Sequence, residues 1–110
     1  VHMTVGGNSS SSDGATHLVR GSTNIGLPTS YGSRTASFLP LNNRGIGANE
    51  CVTISNSYLD SPSTTSATTY KLQVYANNAD TQFINRGGAD VDAIYESRHI
   101  STITLMEIGA

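Results

Sequence analysis

The chain has little of what most enzymes and nucleic-acid-binding proteins depend on. Its 110 residues include no tryptophan, one cysteine and one lysine, and only 13% of them are charged. A single cysteine excludes an internal disulfide framework and a cysteine-based zinc cluster. Six basic residues and a net charge of −2 provide no phosphate-binding surface, so we expect no nucleic-acid partner. No apolar run approaches the roughly 20 residues of a membrane-spanning helix, so we expect no membrane insertion.

Small polar residues take the place of the missing charges. The chain has 15 serines, 13 threonines, 9 asparagines and 11 glycines. Threonine favours strands, whereas serine, asparagine and glycine favour turns, and none of the four is a strong helix former. Intrinsic disorder usually combines low hydrophobicity with high net charge, and the charge here is low. The composition therefore predicts an all-β domain of the extracellular type.

Short strand-like runs separated by turn residues follow one another along most of the chain. No segment sustains the i, i+3, i+4 apolar spacing of a helix, and the best helical candidate, residues 90–98, fits a loop equally well. Six to eight short strands predict a single antiparallel β-sandwich or jelly-roll-like domain over residues 15–110. We expect the runs at 69–76 and 82–85 to form a hairpin. The strand-like runs are residues 16–20, 34–39, 50–55, 69–76, 82–85 and 100–108.

The first fourteen residues have the composition of a linker. They contain Gly6-Gly7 and four consecutive serines, which predicts a flexible N-terminal segment over residues 1–14. Its first three residues resemble a leader added for expression. An alternative is that Met3, Thr4 and Val5 pair as an edge strand, on this chain or on a neighbouring subunit.

One block of the C-terminal half resembles a known group of proteins. The sequence SYLDSPSTTSATTYKLQV at residues 57–74 resembles a stretch that recurs in structural proteins of tailed phages and large algal viruses. There the block precedes a strand, and an Asn-Arg turn follows it, at Asn85-Arg86 here. Residues 18–26 and 32–34 resemble the earlier part of the same module, so the likeness covers most of residues 16–108.

The resemblance implies a distal domain of a virion fibre or decoration protein, located at the virion surface. Such domains are similar to the trimeric jelly rolls of the C1q and tumour-necrosis-factor type. It supplies no catalytic residues and no cofactor. Those relatives usually have more chain before the strand that corresponds to residues 18–20, so a neighbouring subunit is one way to complete the module.

Tyrosines in polar loops are the candidate ligand-binding residues. Tyr31 lies in a Gly/Ser loop, and Tyr75 is followed closely by Asn77 and Asn78. A flat aromatic face beside hydrogen-bonding groups is the combination that sugars require. These four residues therefore form a hypothetical contact with host-surface glycans, although Tyr75 fits a subunit contact as well.

Catalytic and metal-binding patterns are weak. The sequence contains no G-x-S-x-G elbow, phosphate-binding loop or H-E-x-x-H motif, so we expect no enzymatic activity. Asp90 and Asp92 after Gly87-Gly88 suggest a loop calcium site, but a solvated acidic loop fits better. We expect no metal and no cofactor.

Assembly follows from the scarcity of charge. Lysine and glutamate normally guard exposed strand edges, and here they are nearly absent. We therefore expect a homo-oligomer, with a trimer favoured over a filament, and with Met3, Thr4, Val5, Tyr95 and Arg98 as candidate contacts. Two alternatives remain: an extracellular filament joined by an N-terminal donor strand, and a stand-alone lectin-like domain.

Overall fold

Two small antiparallel sheets form the fold of the computed structural model, which describes residues 1–8, 13–42, 45–77 and 80–108. Within these ranges there is no helix, and the chain is an all-β sandwich. One sheet has the order β4-β1-β6 and the other the order β3-β2-β5. The strands are β1 (His2–Gly6), β2 (Gly14–Arg20), β3 (Thr23–Ile25), β4 (Cys51–Ser55), β5 (Tyr70–Ala76) and β6 (Phe83–Ile84).

A compact apolar cluster holds the two sheets together. Met3 and Val5 enter it from β1, and Leu18 enters it from β2. Three residues of the segment after β3, Phe38, Leu39 and Leu41, are almost fully inaccessible and add to the same cluster. Burial of these apolar side chains supplies the main driving force for folding.

Hydrogen bonds to Thr16 of β2 hold the segment around Phe38 against the core. Thr16 of β2 is fully buried, and its hydroxyl accepts a hydrogen bond from the Leu39 N–H at 2.7 Å and donates one to the Leu39 carbonyl at 3.1 Å. The Phe38 N–H donates to the Thr16 carbonyl at 2.8 Å. Since β3 occupies the β2 edge only at residues 18–20, residues 37–40 take its place at the other end of β2.

The prediction of a flexible N-terminal segment is wrong for residues 2–6. Residues 2–6 form β1, which pairs with β4 on one side and with β6 on the other. β1 is therefore the central strand of its sheet and not an edge, and it is paired within its own chain. The linker-like composition conceals this strand because only two of its side chains, Met3 and Val5, are large and apolar. The serine run, residues 9–12, lies outside the described residues.

Four of the six predicted strands are confirmed and two are not. The runs at 16–20, 50–55, 69–76 and 82–85 correspond to β2, β4, β5 and the two-residue β6. The expected hairpin is wrong, because β5 pairs with β2 whereas β6 pairs with β1 in the other sheet. Residues 34–39 form no strand, and residues 100–108 contribute only a single bridge, between Thr102 and His2. Residues 90–98 form a loop without a helix.

Candidate assembly surface

Large apolar side chains are exposed on this chain to an unusual degree. The accessible surface is 7423 Å², whereas a compact monomer of 11.5 kDa has about 5,800 Å². The radius of gyration is 15.8 Å, against about 13 Å for a compact domain of this length. The exposed side chains are Tyr31, Val52, Tyr58, Leu59, Val74, Tyr75, Val91, Ile94, Tyr95, Ile100, Ile103, Leu105, Met106 and Ile108.

The C-terminal end of the chain has the densest group of these side chains. Ile100 is 82% exposed, Met106 is 85% exposed and Ile108 is 79% exposed, and Ile103 and Leu105 lie between them. Alternating threonine and large aliphatic residues favour an extended strand, yet residues 103–108 belong to no sheet of the described chain. We call residues 103–108 the overhang segment.

A short, well-bonded stretch attaches the overhang segment to the first sheet. The His2 N–H donates to the Thr102 carbonyl at 2.9 Å, and the Thr102 N–H donates to the His2 carbonyl at 2.8 Å. The Ser101 hydroxyl donates to Asn85 Oδ1 at 2.6 Å and accepts from the Thr4 N–H at 3.2 Å. The bridge is antiparallel and lies at the first residue of β1. The residues after it therefore run past the end of β1, and within the described chain they form no hydrogen bond.

Beside this bridge, a groove of about 360 Å³ opens between the two sheets. Val1 and Met3 line it from the first sheet, and Tyr70 and Leu72 line it from β5 of the second. Ile103 closes the side next to the overhang segment. We call this cavity the inter-sheet groove; it places partly exposed apolar side chains directly beside the overhang segment.

A second cavity, also of about 360 Å³, lies in the acidic loop at residues 90–98. Asp90 Oδ2 lies 3.0 Å from Arg86 Nη1, and Asp90 Oδ1 lies 2.6 Å from Arg98 Nη2. Both oxygens of this carboxylate therefore face arginines of the same chain. Tyr95, on the same loop, is 64% exposed. Within the described ranges, no group of three or more His, Cys, Asp and Glu side chains is placed to hold a metal ion.

The block that carries the viral resemblance forms an ionic clamp at one end of the second sheet. Asp60 accepts hydrogen bonds from Arg20 Nη1 at 2.8 Å and 3.0 Å and from the Tyr70 hydroxyl at 2.7 Å. Arg20 and Tyr70 lie opposite each other on β2 and β5. The Tyr70 hydroxyl and then the Arg20 guanidinium lower the pKa of Asp60, and the bond to Asp60 raises the pKa of Tyr70. The clamp links two of the parts that carry the resemblance, residues 18–26 and 57–74.

The candidate glycan-binding residues lie on separate elements. Tyr31 is 78% exposed in the loop after β3, with the Arg34 guanidinium 5.5 Å from the centre of its ring. Tyr75 is 51% exposed on β5, and no contact between it and Tyr31 is present in the described chain. The backbone of Asn77 bonds to Asp13 and Asp80. Asn78 lies outside the described residues.

The candidate assembly residues divide into buried and exposed groups. Met3, Thr4 and Val5 are all at most 4% exposed, so they are core residues of this chain. Arg98 is exposed and pairs with Asp90. The sequence reasoning did not select the overhang segment as a contact, although its apolar, threonine-rich composition was visible, because that same composition predicted a strand inside the sheet.

Cys51, at the start of β4, is half-buried. Burial, and secondarily the Glu96 carboxylate, raise the pKa of its thiol, which keeps the thiol protonated at neutral pH.

No helix in the described parts of the chain is long and apolar enough to cross a membrane. Comparisons with protein-family models, with curated proteins and with solved structures gave no significant match.

Proposed function

We propose that this chain is a non-enzymatic structural module that assembles with copies of itself into a closed ring, at the surface of a virion. The observation that carries the proposal is the number of exposed large apolar side chains, which lie on β4, on β5, in the acidic loop and in the overhang segment. A soluble monomer rarely exposes contiguous apolar patches of more than a few hundred Å². The virion setting and the preference for a trimer come from the resemblance at residues 57–74.

The strand edges support self-association. β4 and β5 each have one edge that pairs with no other named strand, and Lys71 is the sole lysine of the chain. The edge of β4, which carries no charged residue, is a template for pairing with another chain, whereas Lys71 guards the edge of β5. The N-terminal donor-strand filament has less support, because β1 is occupied on both edges by strands of its own chain.

Sedimentation velocity of the purified chain at micromolar concentration, followed by electron microscopy, tests the proposal. We expect a single species of about three chain masses and compact particles of uniform size. A stable monomer over the whole concentration range would overturn the proposal. Long fibres would contradict the closed ring and support the filament alternative.

Contact with a host glycan is a second part of the proposal, and Tyr31 is its best-placed residue. An exposed ring with one cation nearby offers an aromatic face for a sugar and a hydrogen-bond donor at its rim. We expect glycan-array binding that is lost in Tyr31→Ala and retained in Tyr95→Ala, which removes an exposed tyrosine of the acidic loop. Equal binding by both variants would exclude Tyr31 as the contact.

A further inference from the structure

We propose that the overhang segment of one copy occupies the inter-sheet groove of a neighbouring copy and is the main contact that holds the assembly together. This inference rests on the proposed self-association and names the surface responsible for it. The occupant is a second copy of this chain, because the chain presents both the unpaired overhang segment and the unfilled groove.

The chemistry of the two surfaces is matched. The overhang segment presents Leu105 and Ile108, which are 61% and 79% exposed, and its only charged residue is Glu107. The groove presents the partly exposed apolar side chains of Val1 and Leu72, with Ile103 at its edge. Seating the aliphatic side chains there removes apolar surface from water on both copies. The unpaired backbone groups of the segment gain strand partners at the same time.

The surface area has the size that a ring of copies needs. The chain exposes about 1,600 Å² more than a compact monomer of its mass. A standard interface removes about 800 Å² from each partner. Every subunit of a cyclic trimer takes part in two interfaces, once as donor and once as acceptor. The excess accessible surface of each chain therefore matches the area that two such interfaces would bury on it.

The positions of the two surfaces favour a closed ring over a filament. Ile103 belongs to the overhang segment and also lines the groove, so donor and acceptor adjoin on each copy. A head-to-tail contact closes into a ring when its rotation returns to the first copy, and it otherwise forms an open filament. Adjoining surfaces are suited to exchange around a single axis.

The decisive variant is the double substitution Leu105→Thr with Ile108→Thr, which keeps strand propensity while removing apolar surface. We expect the association constant, measured by sedimentation equilibrium, to fall at least about tenfold, with the circular dichroism spectrum unchanged. The matched control is Val91→Thr with Ile94→Thr, two exposed aliphatic residues of the acidic loop, and it should assemble like the parent chain.

Cross-linking provides a readout that does not depend on the folding of the double variant. In a Cys51→Ala background, a chain carrying Ile108→Cys is mixed with a chain carrying Lys71→Cys, at the mouth of the groove. We expect a disulfide-linked dimer of the two chains on mild oxidation, and none when Ile94→Cys replaces Ile108→Cys.

The outcomes separate the inference from the proposed function. If the parent chain assembles while the double variant assembles equally well and no cross-link forms, the inference is wrong and the proposed function stands. If the parent chain is a monomer at all concentrations, both are wrong. Loss of assembly in the double variant together with the specific cross-link supports both.

Discussion

At the scale of single residues, Asp60 is an ionisable group whose hydrogen bonds link the pH to the stability of the fold. Its hydrogen bonds to Tyr70 and Arg20 lower its pKa, so the folded chain keeps this carboxyl group ionised at a lower pH than the unfolded chain does. The resulting stabilisation is complete above the unfolded pKa of about 3.9 and disappears as the pH falls through the lower folded value. We therefore expect Asp60→Asn to lower the melting temperature at pH 7.

The same comparison at acid pH tests the cause of that loss. As the pH falls through the lowered folded pKa of Asp60, the melting temperatures of the two chains should converge, because protonation of Asp60 removes the ionic contribution from the parent chain as well. Asp92→Asn, at an exposed carboxyl group of the acidic loop, is the charge-matched control. A deficit in Asp60→Asn that stays constant with pH would show that packing, and not the charge of Asp60, is responsible.

Thr16 provides a second test at this scale. Replacing it with valine leaves the buried Leu39 N–H without its acceptor, and an unsatisfied buried donor costs about 1–3 kcal/mol. Thr16→Ser keeps the hydroxyl and should cost only about 0.8 kcal/mol, for the lost methyl group. Urea unfolding of both variants measures the difference. Equal losses would mean that the hydroxyl does not hold residues 37–41 on β2.

At the scale of elements, β1 decides whether the first sheet forms. Val5 is 2% exposed and lies opposite Val52 of β4, which is 42% exposed. Val5→Ala should reduce the free energy of unfolding by about 2–3 kcal/mol, because two buried methyl groups are lost and a cavity remains. Val52→Ala should cost less than about 1 kcal/mol. If Val5→Ala had no effect on urea unfolding, residues 2–6 would be the flexible tether that their composition suggests.

At the scale of the whole molecule, the nature of the exposed surface predicts how assembly responds to salt. Association through aliphatic side chains is not screened by ions, unlike association through charges, and sulfate strengthens it. We expect the association constant to change less than about twofold between roughly 0.05 and 0.5 M sodium chloride and to rise in ammonium sulfate. A steep fall with sodium chloride would instead assign the contact to charged groups such as Arg98 and Glu107.

Local patterns along the sequence correctly indicated the type of structure but not the pairing of its elements. Alternation at 50–55 and 69–76 located β4 and β5, and the excess of threonine and glycine identified the all-β class. The partner of β6 could not be read in this way, because Phe83 and Ile84 fit either sheet. The candidate site was missed for a related reason: residues 100–108 have strand composition, and no local signal shows that the fold leaves them unpaired.

The role of two glycine pairs also could not be predicted from local sequence patterns. Gly6-Gly7 and Gly87-Gly88 resemble a linker and a turn, yet the two pairs pack backbone against backbone, with the Gly88 N–H donating to the Gly7 carbonyl at 2.9 Å. A Cβ atom at Gly6 would overlap the Arg86 carbonyl. The contact joins residues some eighty positions apart, so only the folded chain shows why glycine is needed there.

The sequence by itself determined that this protein is all-β, poor in charge and rich in strand-forming residues, because these properties depend on composition and short-range periodicity. Tertiary structure alone decided which strand became the centre of a sheet and which was left unpaired. Those outcomes depend on competition among distant segments for the same edges and the same core. β1 gained two neighbours and a buried place for Met3 and Val5, whereas the overhang segment runs past the end of β1 and gained none within the described chain.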